Sequence, residues 1–229
     1  MSDDAGVAGV LFDVDGTLVD TTFIHAVCWA EAFRQHGHVV TGVQVHRAIG
    51  MSSAKLLGAA LGDDRDTADD DAIVATHRSL YKQHWGRLNP LPGAVDLVRA
   101  CHARGLSVVL ASSAKSDELT ALRSVLDADD AIDAATSSSD AESGKPEPDI
   151  VQVALDQGGL AADQAIFVGD AVWDGYATQR AGVVFVGLTC GGTPEDELRK
   201  AGAVEVWAHP AELLENLDKS VITTGRVAE

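Results

Sequence analysis

The chain has 229 residues, 46% of them apolar, and a formal net charge of −18 at pH 7. That length and apolar share suit one substantial globular domain, or a core carrying a smaller insertion, and exclude global disorder. The charge repels nucleic-acid phosphates and anionic membranes, no run approaches the roughly 20 apolar residues of a membrane span, and no basic segment precedes the first apolar stretch, so a soluble, cytoplasmic protein without nucleic-acid or membrane partners is expected.

In chain order, Val7–Val14 reads as a buried strand that delivers Asp13 and Asp15 to a turn at Gly16. Apolar residues then recur at helical spacing over Thr22–His36 and again from Ile73 to His84, with shorter helical segments at Val43–Ile49 and Ser53–Leu61. The interval from about Asp20 to Leu88 is thus expected to be wholly helical. Within it, Gly62–Asp71 carries six aspartates but lacks the spacing of a calcium-binding loop, and it reads as a solvated loop leading into a helix.

After Pro90 and Pro92 the pattern alternates between helix and strand, as a parallel sheet with crossover helices requires. Helices are expected at Gly93–Arg104, Ser116–Leu126, Asp149–Gln157 and Gly175–Ala181. Strands are expected at Leu106–Ala111, Ala165–Val168 and Val183–Gly187, with a weaker one at Val204–Trp207; the polar tail after Leu217 is expected to fray. Cys28, Cys101 and Cys190 are scattered, with no metal-ligand spacing, and read as free buried thiols. The four tryptophans read as packing residues.

Four strand or loop ends carry the chemistry. Asp13 and Asp15, two residues apart at a turning strand end, can divide the work of attacking phosphorus and moving the leaving group's proton. Ser112 and Ser113 follow the strand VVLA just before a helix, where hydroxyls and backbone N–H groups hold phosphate oxygens. Lys145 lies in a loop stiffened by Pro146 and Pro148, suited to neutralising a transferring phosphoryl group. Asp170 ends another strand and Asp174 follows one helical turn later. These ligands are hard oxygens without a Cys/His set, which selects Mg2+ over zinc, held by Asp13, the Asp15 backbone carbonyl and Asp170.

The succession FDVDGTLVD, LASSAK, GKPEPD and VGDAVWD resembles the haloacid dehalogenase superfamily. The resemblance implies an α/β fold: a Rossmann-like, doubly wound parallel core (1–19 and 90–229) with a helical C1 cap (20–89) inserted after the first strand. It implies Asp13 as the phosphorylated nucleophile, Asp15 as acid/base, Ser112 and Lys145 as phosphoryl ligands, Asp170 as a magnesium ligand and Asp174 as an outer acid. Dehalogenation is discounted, because family members that dehalogenate lack this full phosphotransfer set.

Within the superfamily the chain is similar to the phosphoglycolate phosphatase and beta-phosphoglucomutase branch. Asp20-Thr21-Thr22-Phe23-Ile24-His25 and Ser112-Ser113-Ala114-Lys115 resemble mutase motifs, whereas the stretch from Gly50 to Lys55 lacks the mutase's arginine. Ser113, Lys115, His25 and Gly50 are the substrate-binding candidates, and Lys82 reads as a surface residue. The resulting expectation is a magnesium-dependent phosphatase of a small phosphorylated metabolite, monomeric or homodimeric, with a sugar-phosphate mutase and then a non-catalytic binding protein as alternatives.

Overall fold

A computed structural model describes residues 6–225. Its centre is a six-stranded, all-parallel sheet in the order β3-β2-β1-β4-β5-β6. The strands are β1 Gly9–Phe12, β2 Ser107–Ala111, β3 Ala134–Thr136, β4 Ala165–Gly169, β5 Val184–Leu188 and β6 Ala203–Trp207. This is a doubly wound α/β fold of Rossmann type, whose strand order reverses at β1 and opens a crevice at the carboxyl ends there.

Register brings the chemistry together. Phe12 of β1 lies level with Leu110 of β2 on one side and Val168 of β4 on the other. The next residues therefore emerge side by side: Asp13 after β1, Ser112 shortly after β2, and Asp170 directly after β4.

The four inner strands, β2, β1, β4 and β5, are buried on both faces, which explains their nearly unbroken apolar runs. Val10, Phe12, Val108, Leu110 and Val168 point to one layer, shared with Leu97 and Cys101 of α5 (Ala94–Ala103) and Leu122 of α6 (Ser116–Leu126). Leu11, Val109 and Phe167 point to the other, with Val151 of α7 (Asp149–Gly158) and Ala177 of α8 (Val172–Ala181). Each such large side chain contributes about 1.5–3 kcal/mol by leaving water.

The segment after β1 forms α1 (Thr22–Gln35), α2 (Gly42–Ala48), α3 (Ser53–Leu61) and α4 (Asp70–Lys82), which pack a cluster of their own around Trp29, Phe33, Leu56, Leu57 and Ile73. The chain enters and leaves this segment side by side: the Asp20 N–H donates to Asn89 O at 3.0 Å and the Leu91 N–H to Leu18 O at 2.8 Å.

Some expectations change. The edge strand β3 is three residues long, too short to carry a period, and was not anticipated. Helix α8 starts at Val172 rather than Gly175, because Asp174 accepts the Ala171 N–H at 3.0 Å and starts the helix there. Two short helices, α9 (Glu195–Lys200) and α10 (Pro210–Glu215), follow β5 and β6. The tail after Leu217 does not fray as far as Thr224: α11 (Val221–Thr224) buries Val221 and Ile222, and the Val221 N–H donates to Glu205 Oε1 at 2.7 Å. Residues 226–229 lie outside the described residues.

Candidate active site

Asp13 leaves the sheet with its N–H bonded to Val168 O at 2.9 Å, and the chain then turns back at once. The turn depends on Gly16, whose φ of 81° is in the left-handed region and whose N–H bonds Val19 O at 2.9 Å. A side chain at Gly16 would run into Thr22 and Asp170, so this glycine also permits close approach.

The side chains of Asp13, Asp170 and Asp174 converge with oxygen atoms within 4.8 Å of one another. Lys145 lies among them, only 1% exposed, with Nζ 2.6 Å from Asp13 Oδ1 and 2.6 Å from Asp174 Oδ1. Burial pushes the Asp13 carboxyl up to about 7; Lys145 pulls it down, and the Asp174 and Asp15 charges add to the rise. Burial and the Asp13 and Asp174 charges likewise hold Asp170 well above the usual carboxylate range. Lys145 is raised in turn: its burial opposes the charge, but Asp13 and Asp174 prevail.

Three buried carboxylates against one lysine leave uncompensated negative charge, and all three offer hard oxygen ligands. Gly191 lies so close that a Cβ there would overlap the Asp170 carboxylate, so the backbone forms a cradle around it. The set fits a divalent hard cation. Asp174 has Oδ1 2.6 Å from Lys145 Nζ and Oδ2 on the Ala171 N–H, Asp13 shares that lysine through Oδ1, and Thr17 Oγ1 donates to Asp170 Oδ1 at 3.0 Å.

Asp15 turns its carboxylate away from that cluster. Its Oδ1 accepts from Thr21 Oγ1 at 2.7 Å and lies 3.3 Å from His25 Nε2. His25 also lies 3.6 Å from Glu118 Oε1, with its Nδ1 3.2 Å from His77 Nε2. Burial alone would raise Asp15, but the hydrogen bond and charge of His25 hold it below its ordinary value. For His25, burial is overcome by Asp15 and Glu118 and the imidazole is raised. Burial, then the His25 charge, lowers His77 to about 2, and its Nε2 lies 3.2 Å from His25 Nδ1.

A cavity of about 120 Å³ runs between sheet and helices, lined by Asp13, Asp15 and Lys145 from below and by His25, Trp29 and His77 from above. It shares Ser52, Ser53, His77, Ser113 and Glu118 with a wider cavity of about 640 Å³. Of the sequence candidates, Ser113 and Gly50 line the inner cavity, and the Ser113 hydroxyl is buried without a hydrogen-bond partner among the described residues. Ser112 does not line it: fully buried, its hydroxyl accepts the Ala114 N–H at 3.1 Å. Lys115 is exposed and lines only the wider cavity, and Lys82 sits 5.1 Å over the Trp85 ring.

Sequence reasoning missed His77, Tyr81 and Glu118 and took Trp29 as packing alone. Trp29 does pack, stacked on His77 at 4.0 Å while Tyr81 stacks on His25 at 3.8 Å, yet it also walls the cavity. The available signal was polar aromatics on buried helix faces: His25 and Trp29, and His77 and Tyr81, each four residues apart. The helical segment is fastened over the site by Lys55 on Glu147 at 2.9 Å, by Trp173 Nε1–H on Arg47 O at 3.0 Å and by His46 Nε2 on Gly191 O at 2.9 Å.

Comparison with known proteins bears on this geometry. A family model described as haloacid dehalogenase-like hydrolase matches residues 7–182. A hydrolase from Pseudomonas syringae, 30% identical, superposes with a TM-score of 0.88 over 93% of this chain and 98% of its own. A phosphoglycolate phosphatase from Escherichia coli K12 is 27% identical over 209 residues, 81% of this chain and 82% of that one. A beta-phosphoglucomutase from Clostridium difficile shares the fold, with a TM-score of 0.79 at 18% identity over 93% and 96% of the two chains.

Proposed function

The chain belongs to the haloacid dehalogenase-like hydrolases, and on that premise we propose that it is a magnesium-dependent phosphatase that removes phosphate from a small metabolite through an aspartyl-phosphate on Asp13. The observation that carries this reading is Asp13 itself: a buried carboxylate at a cavity floor, one oxygen tied to Lys145 at 2.6 Å and flanked by a cation-binding set. The division into a core (1–19, 90–229) and a cap (20–89) belongs to the same proposal, supported by the separate apolar cluster of α1–α4 and the paired chain crossings at Asp20 and Leu91.

Asp13 attacks phosphorus and displaces the alcohol oxygen. Lys145 holds one Asp13 oxygen and offers positive charge to the phosphoryl group, while Asp174 holds Lys145 in place. Mg2+, held by Asp13, Asp170 and the Asp15 backbone carbonyl, would screen the carboxylate from the incoming phosphate dianion. Asp15 protonates the leaving oxygen and then deprotonates the water that hydrolyses the phosphoenzyme. In this arrangement Thr21 and His25 hold it as a carboxylate, so on leaving them it takes up a proton from solvent, gives that proton to the leaving oxygen and recovers one from the attacking water. Ser113, with its unpartnered hydroxyl, and the N–H groups around Ser112 cup the phosphate oxygens, and α1–α4 exclude bulk water during the first step.

A second reading, a sugar-phosphate mutase, draws on the contact of His25 with Asp15, because a histidine that parks the acid/base prolongs the phosphoenzyme. A screen of small phosphate esters with and without Mg2+, reading both phosphate release and isomerisation of beta-glucose-1-phosphate, separates the two. Magnesium-dependent release is the expected result; isomerisation exceeding release would favour the mutase, and neither would refute both.

A further inference from the structure

We propose that Asp15, His25 and Glu118 form a second cation site, distinct from the all-oxygen set, that takes a transition-metal ion of the Zn2+ class and silences the enzyme when filled. The binding part stands on geometry alone; the silencing part rests on the reading of Asp15 as the acid/base.

Three observations converge on it. First, His25 Nε2 is flanked by Asp15 Oδ1 at 3.3 Å and Glu118 Oε1 at 3.6 Å, and the three ligand atoms lie within 4.8 Å of one another. Ligands bound at about 2.0–2.1 Å at tetrahedral angles stand roughly 3.3–3.4 Å apart, so the histidine and Asp15 already span one edge of a zinc tetrahedron. Second, the other ring nitrogen has the partner a metal-binding histidine requires: Nδ1 lies 3.2 Å from His77 Nε2, and in the tautomer in which Nδ1–H donates there the Nε2 lone pair faces the two carboxylates. His77 is itself held by the stacked Trp29 ring at 4.0 Å. Third, all three ligands line the inner cavity, so the ion has an entry path and an open position for water.

The donor chemistry separates the two sites. One imidazole with two carboxylates suits a borderline cation such as Zn2+, whereas Asp13, Asp170 and Asp174 offer only carboxylate oxygens. Two carboxylates and one neutral imidazole also neutralise the ion's charge. Binding forms a bond from the Nε2 lone pair to the metal and releases to solvent the proton that Nε2 carries in the imidazolium, together with the proton of any Glu118 carboxyl, which burial pushes up to about 7. Asp15 is then tied through Oδ1 to the cap-side cluster and is unavailable to the leaving oxygen. No redox change and no further reactant are involved.

The test uses the full chain in excess Mg2+, with Co2+ as a spectroscopic probe and Zn2+ as the inhibitor. One Co2+ per chain should give the intense visible absorption of a tetrahedral ion, and Zn2+ should inhibit phosphate release in a manner that added Mg2+ does not relieve. Glu118→Gln should weaken Co2+ and Zn2+ binding roughly tenfold or more, and His77→Phe by about 10- to 100-fold, each judged against that variant's own uninhibited rate. Absence of the tetrahedral absorption, inhibition that Mg2+ relieves by competition, or undiminished inhibition in Glu118→Gln would overturn the site. Tetrahedral absorption without inhibition would uphold the site and overturn the acid/base reading of Asp15.

Discussion

The two walls of the cavity are built on different principles. The sheet-side wall is electrostatic: Asp13, Asp170 and Asp174 are buried together around Lys145, which balances part of their charge. The helix-side wall is a stack of rings, Trp29 on His77 and Tyr81 on His25, with charge admitted only where His25 meets Asp15 and Glu118. The first wall is therefore intolerant of any change in charge, since removing one partner strands the rest in a dry site. The second wall is tolerant of shape-conserving changes and sensitive to the state of two histidines.

The largest break in this comparison comes from the sheet side. Asp13→Asn should lower phosphate release by roughly 10³-fold or more while leaving the fold intact, as read by steady-state assay beside circular dichroism. Lys145→Met leaves three carboxylates without their cation and should destabilise the protein by about 3–5 kcal/mol, read from urea midpoints; an unchanged midpoint would mean the charges are not dry.

The helix side should respond to acid. The buried His77 is lowered from 6.5 to about 2, so it contributes stability that is fully present above pH 6.5 and is lost as pH falls below it, because the unfolded chain then binds a proton that the native state refuses. His25 is raised and acts in the opposite sense, favouring the fold below 6.5. His77→Phe should therefore remove a destabilisation of up to about 1.4 kcal/mol per pH unit below 6.5, visible as a flatter pH profile of the urea midpoint; an identical slope would sink this account of the ring stack. The smallest effect is expected at the fastening between the walls. Lys55→Ala breaks a partly exposed ion pair with Glu147 and should cost no more than about 1 kcal/mol.

The same contrast governs what could be read from sequence. The positions of Asp13, Ser112 and Asp170 at strand ends were legible because each stands where an apolar run stops, and a parallel sheet gathers such ends at one edge. The apolar stretches of β1, β2, β4 and β5 were legible for the same reason, whereas β3 was too short to show a period and α11 looked polar although Val221 and Ile222 are buried. Lys145 was found through its prolines, but nothing local shows that it is fully enclosed between two carboxylates. Ser112 and Ser113 could not be ranked, because which hydroxyl turns inward depends on the Ala114 N–H that claims Ser112. The spacing of His77 put it on a buried helix face, but nothing local placed it or Glu118 against His25: they reach it from α4 and α6, and only the tertiary fold brings them within bonding distance.

The most direct test of the central claim is to quench a reacting mixture, reduce any acyl phosphate with borohydride and map the modified residue by mass spectrometry. Conversion of Asp13 to homoserine, dependent on both substrate and Mg2+, is the predicted result. Steady turnover with an unmodified Asp13, or trapping at another residue, would contradict it.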